Sequence, residues 1–337
     1  MITYVIRRLL AAVVLLFVIS AATFAIFYLI PRLAGSSPET LATRYVGRAA
    51  TPETVNLIAH RLGFYDPVWL QYGRWIKGVL VGAEYDYGAG VEHCPAPCFG
   101  YSFITRQPVW PDLLERLPVT LSLALGAAVL WLFFGLTTGV ISALRRGSML
   151  DRAAMGVSLA GVSLPIFFTG MIALTIFSYR LQWTAPGGTY TPFTENPAAW
   201  FYALLLPWLV LALQFSAQYA RLTRAGMLET MGEDYIRTAR AKGLRERDVT
   251  VKHGLRAALT PILTIFGLDF GLLLGGAVIT ESVFSLPGLG KYAVDAITTN
   301  DLPKVLGVTL MAAFFVVIAN LVVDLLYAVV DPRVRLG

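Results

Sequence analysis

The sequence predicts an all-α integral membrane protein with six transmembrane helices. Hydrophobic residues make up 56% of the chain and charged residues 14%, whereas a soluble domain carries roughly 25% charged residues. Several apolar runs are longer than the roughly 20 residues that a helix needs to cross about 30 Å of hydrocarbon. Helices satisfy their backbone hydrogen bonds internally, as a bilayer demands, so a helical bundle is the expected architecture.

Six segments have the length and the apolarity of membrane spans. Four of them carry no charged residue, the fifth carries only Asp269, and the sixth carries only Asp324. Pro165 and Pro207 fall within spans, where neighbouring helices can satisfy the carbonyl groups that a proline frees. The predicted spans are 9–30, 118–144, 153–179, 200–220, 259–280 and 305–330.

Basic residues indicate the orientation of the spans, because short cytoplasmic segments are enriched in lysine and arginine. Arg7 and Arg8 precede the first span, and the segment 221–257 is rich in both residue types. The sequence therefore predicts that both termini are cytoplasmic and that the loop 31–116 is extracellular. The net charge of +6 follows from this topology and gives no indication of nucleic-acid binding.

The extracellular loop contains two predicted amphipathic helices. The first is expected to begin after the N-cap residue Thr51 and to stop at Gly63. The second covers residues 66–82, and its aromatic residues are of the kind that settles at the membrane interface. Either the loop packs on the bilayer surface or it forms a docking rim for an extracellular partner. The interfacial aromatic residues are Trp69, Tyr72 and Trp75.

The chain has two cysteines, Cys94 and Cys98, and both lie in the extracellular loop. A redox C-x-x-C motif would have two intervening residues instead of three, and His93 alone does not complete a zinc site. Disulfides persist outside the cytoplasm. We therefore expect a local Cys94–Cys98 bridge in preference to two free thiols.

The sequence lacks the motifs of common enzymes. It has no G-x-x-x-x-G-K-[ST] phosphate loop, no H-E-x-x-H and no G-x-S-x-G. An intramembrane protease would need a nucleophile and a base buried together, and the predicted spans contain neither histidine nor lysine. We therefore expect no catalytic residue, no metal site and no cofactor in this chain.

The segment 221–257 is highly charged, although it lies between two apolar spans. It predicts two short helices around Gly243. The first, Met231–Lys242, has acidic residues near its start and basic residues near its end, which suits the helix dipole. A solvated basic loop near anionic lipid does not need an apolar stripe, whereas a helix that lies in a partner's groove does. The stripe consists of Tyr235, Ile236, Ala239, Ala241 and Leu244.

Residues 233–244, EDYIRTARAKGL, resemble the coupling-helix loop of binding-protein-dependent ABC importer permeases, in the dipeptide/oligopeptide (and nickel) permease family. The general importer pattern is E-A-A, three residues, then glycine. Here Arg237, Thr238 and Ala239 precede Gly243 at that spacing, so the glutamate and the first alanine are replaced. The stretches TPETVNLIAHRLG, SLPIFFTGM and ESVFSLPGLGKYAVDAI also resemble the family in order, which extends the resemblance over nearly the whole chain.

The resemblance implies a type I ABC importer permease fold, with residues 1–337 as the single domain of the first, or B-type, permease subunit. It also implies a second homologous permease, two cytoplasmic ATPases that bind ATP and magnesium, and an extracellular solute-binding lipoprotein. The implied function is import of oligopeptides or dipeptides across the bacterial cytoplasmic membrane by alternating access. The residues that the resemblance assigns to ATPase coupling are Glu233, Asp234, Tyr235, Arg237, Thr238, Ala239, Arg240, Ala241, Lys242, Gly243 and Leu244.

Polar residues within the spans are candidates for the transport pathway, because a charge near the bilayer centre usually faces a cavity or a partner. Asp269 would meet the α-amino group of a peptide, or be held by helix hydroxyl groups or by the partner permease. Gln214 and Gln218 share one helix face at a spacing of four residues. Glu281 and Phe284 fall at the outer end of the fifth span, in a region that resembles an outer gate loop of the family.

Residues 84–98 look like an insertion relative to the family, and we expect them to contact the binding protein or to shield the outer mouth. The solute stays open, since close relatives carry nickel chelates and other small solutes as well as peptides. A stand-alone ion-coupled transporter would need internal repeats or acidic residues within the membrane. The sequence shows no clear inverted repeat, and Asp269 is the acidic residue that lies deep in a predicted span. A membrane scaffold without transport is the third alternative.

Overall fold

The computed structural model describes the backbone of residues 2–46, 51–86 and 90–330, and side chains within those ranges except at 2–5, 44, 46 and 324–330. The side chain of Asp324 therefore lies outside the described residues. Most of the described chain is helical, so the predicted all-α class is confirmed. The first helices are α1 (Ile2–Phe24), which continues through a π-helical turn (Ala25–Leu29) into α2 (Ile30–Leu33), then α3 (Pro38–Val46), α4 (Pro52–Arg61) and α5 (Val68–Val81).

Five helical segments of the described chain are long and apolar enough to cross a membrane, and a bent helix pair brings the number to six if it forms one span. The first of them combines α1 and α2. The others are α6 (Val109–Leu144), the bent pair α7 (Met149–Ser163) and α8 (Ile166–Ala173, continued by a π-helical stretch to Arg180), α9 (Pro197–Thr230), α12 (Arg256–Leu274) and α15 (Leu302–Val330).

The third predicted span, 153–179, is not a single straight helix. The axes of α7 and α8 differ by 99°. Pro165 has no backbone N–H and disfavours a helical conformation at the preceding residue, so Leu164 is extended, with φ −88° and ψ 127°. The proline that we expected a helix to tolerate therefore bends this span sharply.

The fifth span ends at Leu274, earlier than predicted. Gly275 closes α12, and Gly276 has a φ of +124°, which residues with side chains rarely adopt. A separate helix, α13 (Val278–Val283), follows the break and carries Glu281. Glu281 is therefore not at the end of the span, as the sequence predicted, but beyond it. The next helix is α14 (Leu289–Thr299).

The bundle is built on α6 and α9, which pack against each other along much of their length. Trp131 of α6 is fully buried and stacks on Phe215 of α9, with 4.7 Å between ring centroids. Gly139 lets the two helices approach closely, since a Cβ atom there would lie 2.5 Å from the Cβ of Thr223. Small residues at such contacts are how membrane helices gain close packing.

The predicted extracellular loop has a hydrophobic core of its own, where α3, α4 and α5 meet the end of α1. Both predicted amphipathic helices are present. Thr51 caps α4 by accepting a hydrogen bond from the backbone N–H of Thr54, and Gly63, with a φ of +69°, follows the end of that helix. The largest members of this core are Phe24, Tyr28, Leu41, Tyr45, Ile58 and Phe64.

The aromatic residues of α5 divide between two environments. The rings of Tyr72 and Trp75 lie 5.2 and 6.0 Å from the ring of Phe24 on α1, so they fasten the loop to the first span. Trp69 is 79% exposed. Only Trp69 has the exposure that the predicted interfacial role requires.

In the described part of the chain, two short hairpins interrupt the helices, and the sequence did not predict them. β1 (Ala83–Asp86) pairs with β2 (Val91–Cys94), and β3 (Tyr101–Ser102) pairs with β4 (Gln107–Pro108), both antiparallel. The expected disulfide joins Cys94 to Cys98 at the end of the first hairpin. Tyr85 stacks on Tyr101, and burial raises the pKa of Tyr85 to about 12. Except for Ala83, the strands of the first hairpin lie within residues 84–98, which were expected to be an insertion.

The two ends of the bundle differ in what they carry. We call the end with the α6–α7 turn and residues 231–255 the basic end, and the end with residues 34–108 the loop end. The chain returns from the basic end through α10 (Asp234–Ala241), α11 (Glu246–Asp248) and a π-helical stretch (Val249–Leu255) that runs directly into α12.

Candidate functional site

The short helix α10 lies at the basic end between two spans, and it begins later than the sequence predicted. Met231 closes α9, so the predicted start at Met231 is wrong. Glu233 is the extended N-cap residue, with φ −70° and ψ 151°, and Asp234 occupies the first turn. Gly243, with a φ of +76°, follows the C-cap residue Lys242 as predicted.

The apolar stripe of α10 faces two ways. Ile236 is fully buried and Ala239 is 7% exposed, and both pack on Val249 of the same chain. Tyr235 and Leu244 are 46% and 43% exposed. The stripe that we expected to lie in a partner's groove is therefore partly covered by the chain itself. Ala239, one of the predicted coupling residues, faces inward.

One ion pair joins the returning chain to α10, and a second lies within the returning chain. Arg240 donates two hydrogen bonds to the carboxylate of Glu246, at 2.7 and 3.1 Å, and Lys252 lies 2.8 Å from Asp248. These groups are exposed, so each pair contributes little to stability. The bidentate geometry nevertheless sets the position of α11 relative to α10.

α10 is attached to both spans that flank it. Gly254 of the π-helical stretch packs against Met231 at the end of α9, where a Cβ atom on residue 254 would lie 2.8 Å from the Met231 sulfur. The π-helical stretch then continues into α12 without a break. A displacement of α10 would therefore reach α9 and α12 through packed contacts.

A buried ion pair at the basic end was missed by the sequence reasoning. Asp151 at the start of α7 is 4% exposed and accepts two hydrogen bonds from Arg224 of α9, at 2.7 and 2.9 Å. Ser142 of α6 and the backbone N–H of Gly147 also donate to it. The S-x-x-D spacing from Ser148 was the available signal, since Ser148 caps α7. The pair joins α6, α7 and α9 at the basic end.

Asp269 lies half-buried within α12. The hydroxyl group of Tyr219, on α9, donates a hydrogen bond to its carboxylate at 2.9 Å. This matches the expectation of a carboxylate held by a helix hydroxyl, although the hydroxyl is a phenol. Gln214 and Gln218 are half-buried on the same α9 helix, as expected from their spacing. Their roles in a pathway stay predictions.

Glu281 and Phe284, the two gate candidates, are both buried. Glu281 has no exposed surface, and Phe284 is 3% exposed within the main core cluster. The hydroxyl group of Thr120 donates to Glu281 at 2.8 Å, and the backbone N–H of Lys291 donates at 3.0 Å. Burial raises the pKa of Glu281 above its usual range, and these donors oppose that shift. Neither side chain lines an open surface, and their role in gating stays a prediction.

Within the part of the chain that the structure describes, no group of three or more histidine, cysteine or acidic side chains is arranged to hold a metal ion. Asp151, Arg240, Asp269 and Glu281 each bond to a side chain of another helix. Their arrangement suits mechanical contact between helices.

Comparison with protein families decides what kind of chain this is. The model of the binding-protein-dependent transport system inner membrane component matches residues 135–336, and the N-terminal model of such membrane components matches residues 1–124. The chain belongs to this family. Members of the family are transport permease subunits and not enzymes, and this permease is a multi-pass inner-membrane protein.

Curated relatives match the permease over nearly their full length. A Brucella abortus (strain 2308) protein, named provisionally as a peptide transport system permease protein, is 39% identical over 98% of both chains. The di/tripeptide transport system permease protein DppB of Pseudomonas aeruginosa (strain UCBPP-PA14) is 38% identical over 99% of both. The dipeptide transport system permease protein DppB of Escherichia coli (strain K12) is 35% identical over 99% of both.

Proposed function

We propose that this permease is a pore-forming subunit of an ATP-driven importer that takes up oligopeptides or dipeptides by alternating access. The observation that carries the proposal is α10, a docked helix with one exposed face whose buried face packs on Met231, at the end of α9, and on Val249, in the π-helical stretch that leads into α12. The names of the curated relatives support peptides as the solute class. Alternating access requires that ATP and the delivered solute favour different conformations of the bundle.

The free energy of ATP hydrolysis would come from other chains of the complex. The sequence has no phosphate loop, so two separate ATPase subunits would bind ATP and magnesium, and this chain would bind neither. A second homologous permease would complete the pathway. An extracellular solute-binding lipoprotein would deliver the peptide.

The exposed face of α10 would lie in a cleft of an ATPase. Tyr235, Arg237, Thr238 and Ala241 are exposed on the helix. Ile236 and Ala239 hold the helix to the permease, so the two faces divide into a partner side and an anchor side. The other exposed residues of this partner side are Glu233, Asp234, Arg240, Lys242, Gly243 and Leu244.

We place the basic end in the cytoplasm, and with it both termini. The rule that basic residues stay inside supports this orientation. The same orientation puts the disulfide at the loop end outside the cytoplasm, where disulfides persist.

The pathway would run beside α12 and α9. Asp269 is the intramembrane carboxylate of this region, and it is suited to meet the α-amino group of a peptide. Gln214 and Gln218 would add neutral hydrogen-bonding groups. Because Tyr219 already orients the Asp269 carboxylate, the site would need little rearrangement to bind a cation.

The first hairpin would act at the loop end. The strand β2 exposes Val91, Glu92 and His93, which gives the hairpin a surface for the binding protein or a shield over the outer mouth. Deletion of residues 84–98 should lower uptake while leaving the complex of two permeases and two ATPases assembled. Unchanged uptake by the deletion variant would contradict this role.

Reconstitution of the complex with its binding protein in proteoliposomes tests the proposed function. ATP inside the vesicles and a labelled dipeptide outside with the binding protein should give uptake, and Gly243→Pro should abolish both uptake and its coupling to ATP hydrolysis. Proline removes the N–H that Gly243 donates to the carbonyl of Arg240 and cannot adopt the positive φ. Normal coupling in Gly243→Pro would refute the role of α10.

A further inference from the structure

Residues 275–301 lie at the loop end of the bundle in two helices too short to span a membrane, and we call them the cover segment. Its helices α13 and α14 follow α12, which starts at the basic end and therefore finishes at the loop end. The cover segment packs against α6, α8 and α15. Its only covalent link to α12 passes through Gly275 and Gly276.

The carboxylate of Glu281 closes the cover segment on itself. Besides the hydroxyl group of Thr120, the backbone N–H of Lys291 donates a hydrogen bond to it at 3.0 Å, which joins the start of α14 to α13. Among the described residues, no lysine, arginine or histidine forms an ion pair with Glu281, since Lys291 pairs with Asp295 instead. A fully buried acid without a cation is costly unless hydrogen bonds satisfy it, so these donors are what the group requires.

Glycine at positions 288 and 290 leaves the space for this carboxylate. A Cβ atom on Gly288 would lie 2.4 Å from the Glu281 carboxylate, and one on Gly290 would lie 3.1 Å from it. A side chain at position 288 would displace the carboxylate. The buried position of the Glu281 carboxylate therefore depends on glycine at positions 288 and 290.

The same carboxylate fastens the cover segment to α6. Thr120 donates its hydroxyl hydrogen to Glu281 at 2.8 Å and accepts the backbone N–H of Leu289 at 2.9 Å. Thr120 is fully buried, so neither bond is shared with water. Removal of the hydroxyl group would deprive the Leu289 N–H and one Glu281 oxygen of this buried partner. Leaving buried polar groups unpaired costs more free energy than removing both partners of a hydrogen bond.

A second contact joins α6 to α14. The phenol of Tyr292 donates to Asp112 at 2.8 Å, and the guanidinium carbon of Arg116 lies 4.4 Å from the Tyr292 ring centroid. Asp112, Arg116 and Thr120 are spaced four residues apart, so they form one stripe on α6. Two adjacent helices of the cover segment are thus held by one face of a single span.

We propose that Glu281 is a positioning residue that, through Thr120, makes the cover segment move with α6 as a unit, with the bend at Gly275–Gly276. The loop end would then open by rotation of an intact segment and would not require residues 284–291 to unfold. Only the uptake measurement below rests on the proposed transport function. The attachment itself can be tested without transport.

Spin-label distances in the assembled complex test the attachment. Labels at Ser285→Cys and Glu115→Cys, both exposed, report the separation of the cover segment from α6. The two native cysteines are joined in a disulfide, so they do not take a label. We expect one narrow distance distribution with and without ATP. In Thr120→Val and Glu281→Ala, the distance distribution between the two labels should become broad.

Two variants serve as matched controls. Thr120→Ser keeps the hydroxyl group and should keep the narrow distribution. Asp295→Asn removes an exposed ion pair of the same segment and should change nothing. If Glu281→Ala does not assemble, the pair Thr120→Val and Thr120→Ser decides, because these substitutions leave the glutamate in place.

Uptake per ATP hydrolysed supplies the functional readout. It should fall in Thr120→Val and Glu281→Ala and stay at the wild-type value in Thr120→Ser and Asp295→Asn. Wild-type distributions and wild-type coupling in both disrupting variants would overturn the proposal. A wild-type complex that takes up no peptide would instead refute the proposed function, while the label distances would still decide the attachment.

Discussion

Ile236→Ala should release α10 from the permease without disturbing the spans. Ile236 is fully buried, but among the described residues its cluster is small, with Ala239, Val249 and Met231 as the other members. Truncation of a buried isoleucine to alanine costs about 2–5 kcal/mol. We take about 2 kcal/mol, the low end, because a helix at the surface can settle into the space.

This free energy translates directly into local opening. About 2 kcal/mol raises the equilibrium constant for opening roughly 30-fold, since about 1.4 kcal/mol corresponds to a factor of ten. Hydrogen exchange of the α10 backbone amides measures that opening. The amides of the α6–α9 core should exchange as in the wild-type protein, because Ile236 does not contact them.

Tyr235→Ala is the matched control for the anchor side. Tyr235 is 46% exposed, so its loss should leave the exchange of α10 nearly unchanged while it weakens contact with an ATPase. In the complex, both variants should lower uptake per ATP, but only Ile236→Ala should loosen the helix. Unchanged α10 exchange in Ile236→Ala would refute the reasoning and would leave the Arg240–Glu246 bridge as what holds the helix.

Three further predictions concern single positions. Gly243→Ala should destabilise the end of α10 by about 1 kcal/mol, because alanine is strained at the left-handed φ of +76°. Gly243→Asn should destabilise it less, since asparagine tolerates this region better. Equal amide exchange of residues 239–244 in both variants would contradict this. Asp269→Asn keeps an oxygen that can accept the Tyr219 hydroxyl at 2.9 Å but removes the charge, so uptake of several dipeptides should fall while thermal stability changes little; wild-type uptake would remove the pathway role of Asp269. Replacement of both Cys94 and Cys98 by serine should destabilise the first hairpin by about 2 kcal/mol, the chain-entropy value for so short a loop; limited proteolysis at the hairpin should accelerate, and an unchanged cleavage rate would show that packing alone holds it.

Local sequence signals were sufficient where the chain's own neighbours decide the structure. Thr51 and Gly63 predicted the bounds of α4, because caps and left-handed turns depend on a few adjacent residues. The length of the apolar runs predicted the spans for the same reason. The sharp bend at Pro165 was underestimated, since whether a proline kinks or breaks a helix depends on what its neighbours pack against.

The candidate site was only partly visible in the sequence. The position of α10 and its glycine turn followed from spacing and charge. The inward direction of Ile236 and Ala239 did not, because the burying partner, Val249, belongs to the next helical stretch. The two strands of the first hairpin were missed as well, since their pairing depends on a contact between short segments.

The sequence by itself determined that this chain is a membrane-spanning bundle, that it carries a charged segment between two spans, and that it lacks a phosphate loop. These properties depend on composition, run length and local spacing. Only the tertiary structure decided that Glu281 binds Thr120 and that Asp151 binds Arg224, because each pair joins residues distant in the chain. Buried polar groups must find partners wherever the fold brings them, and the order of residues along the chain does not specify which partner that is.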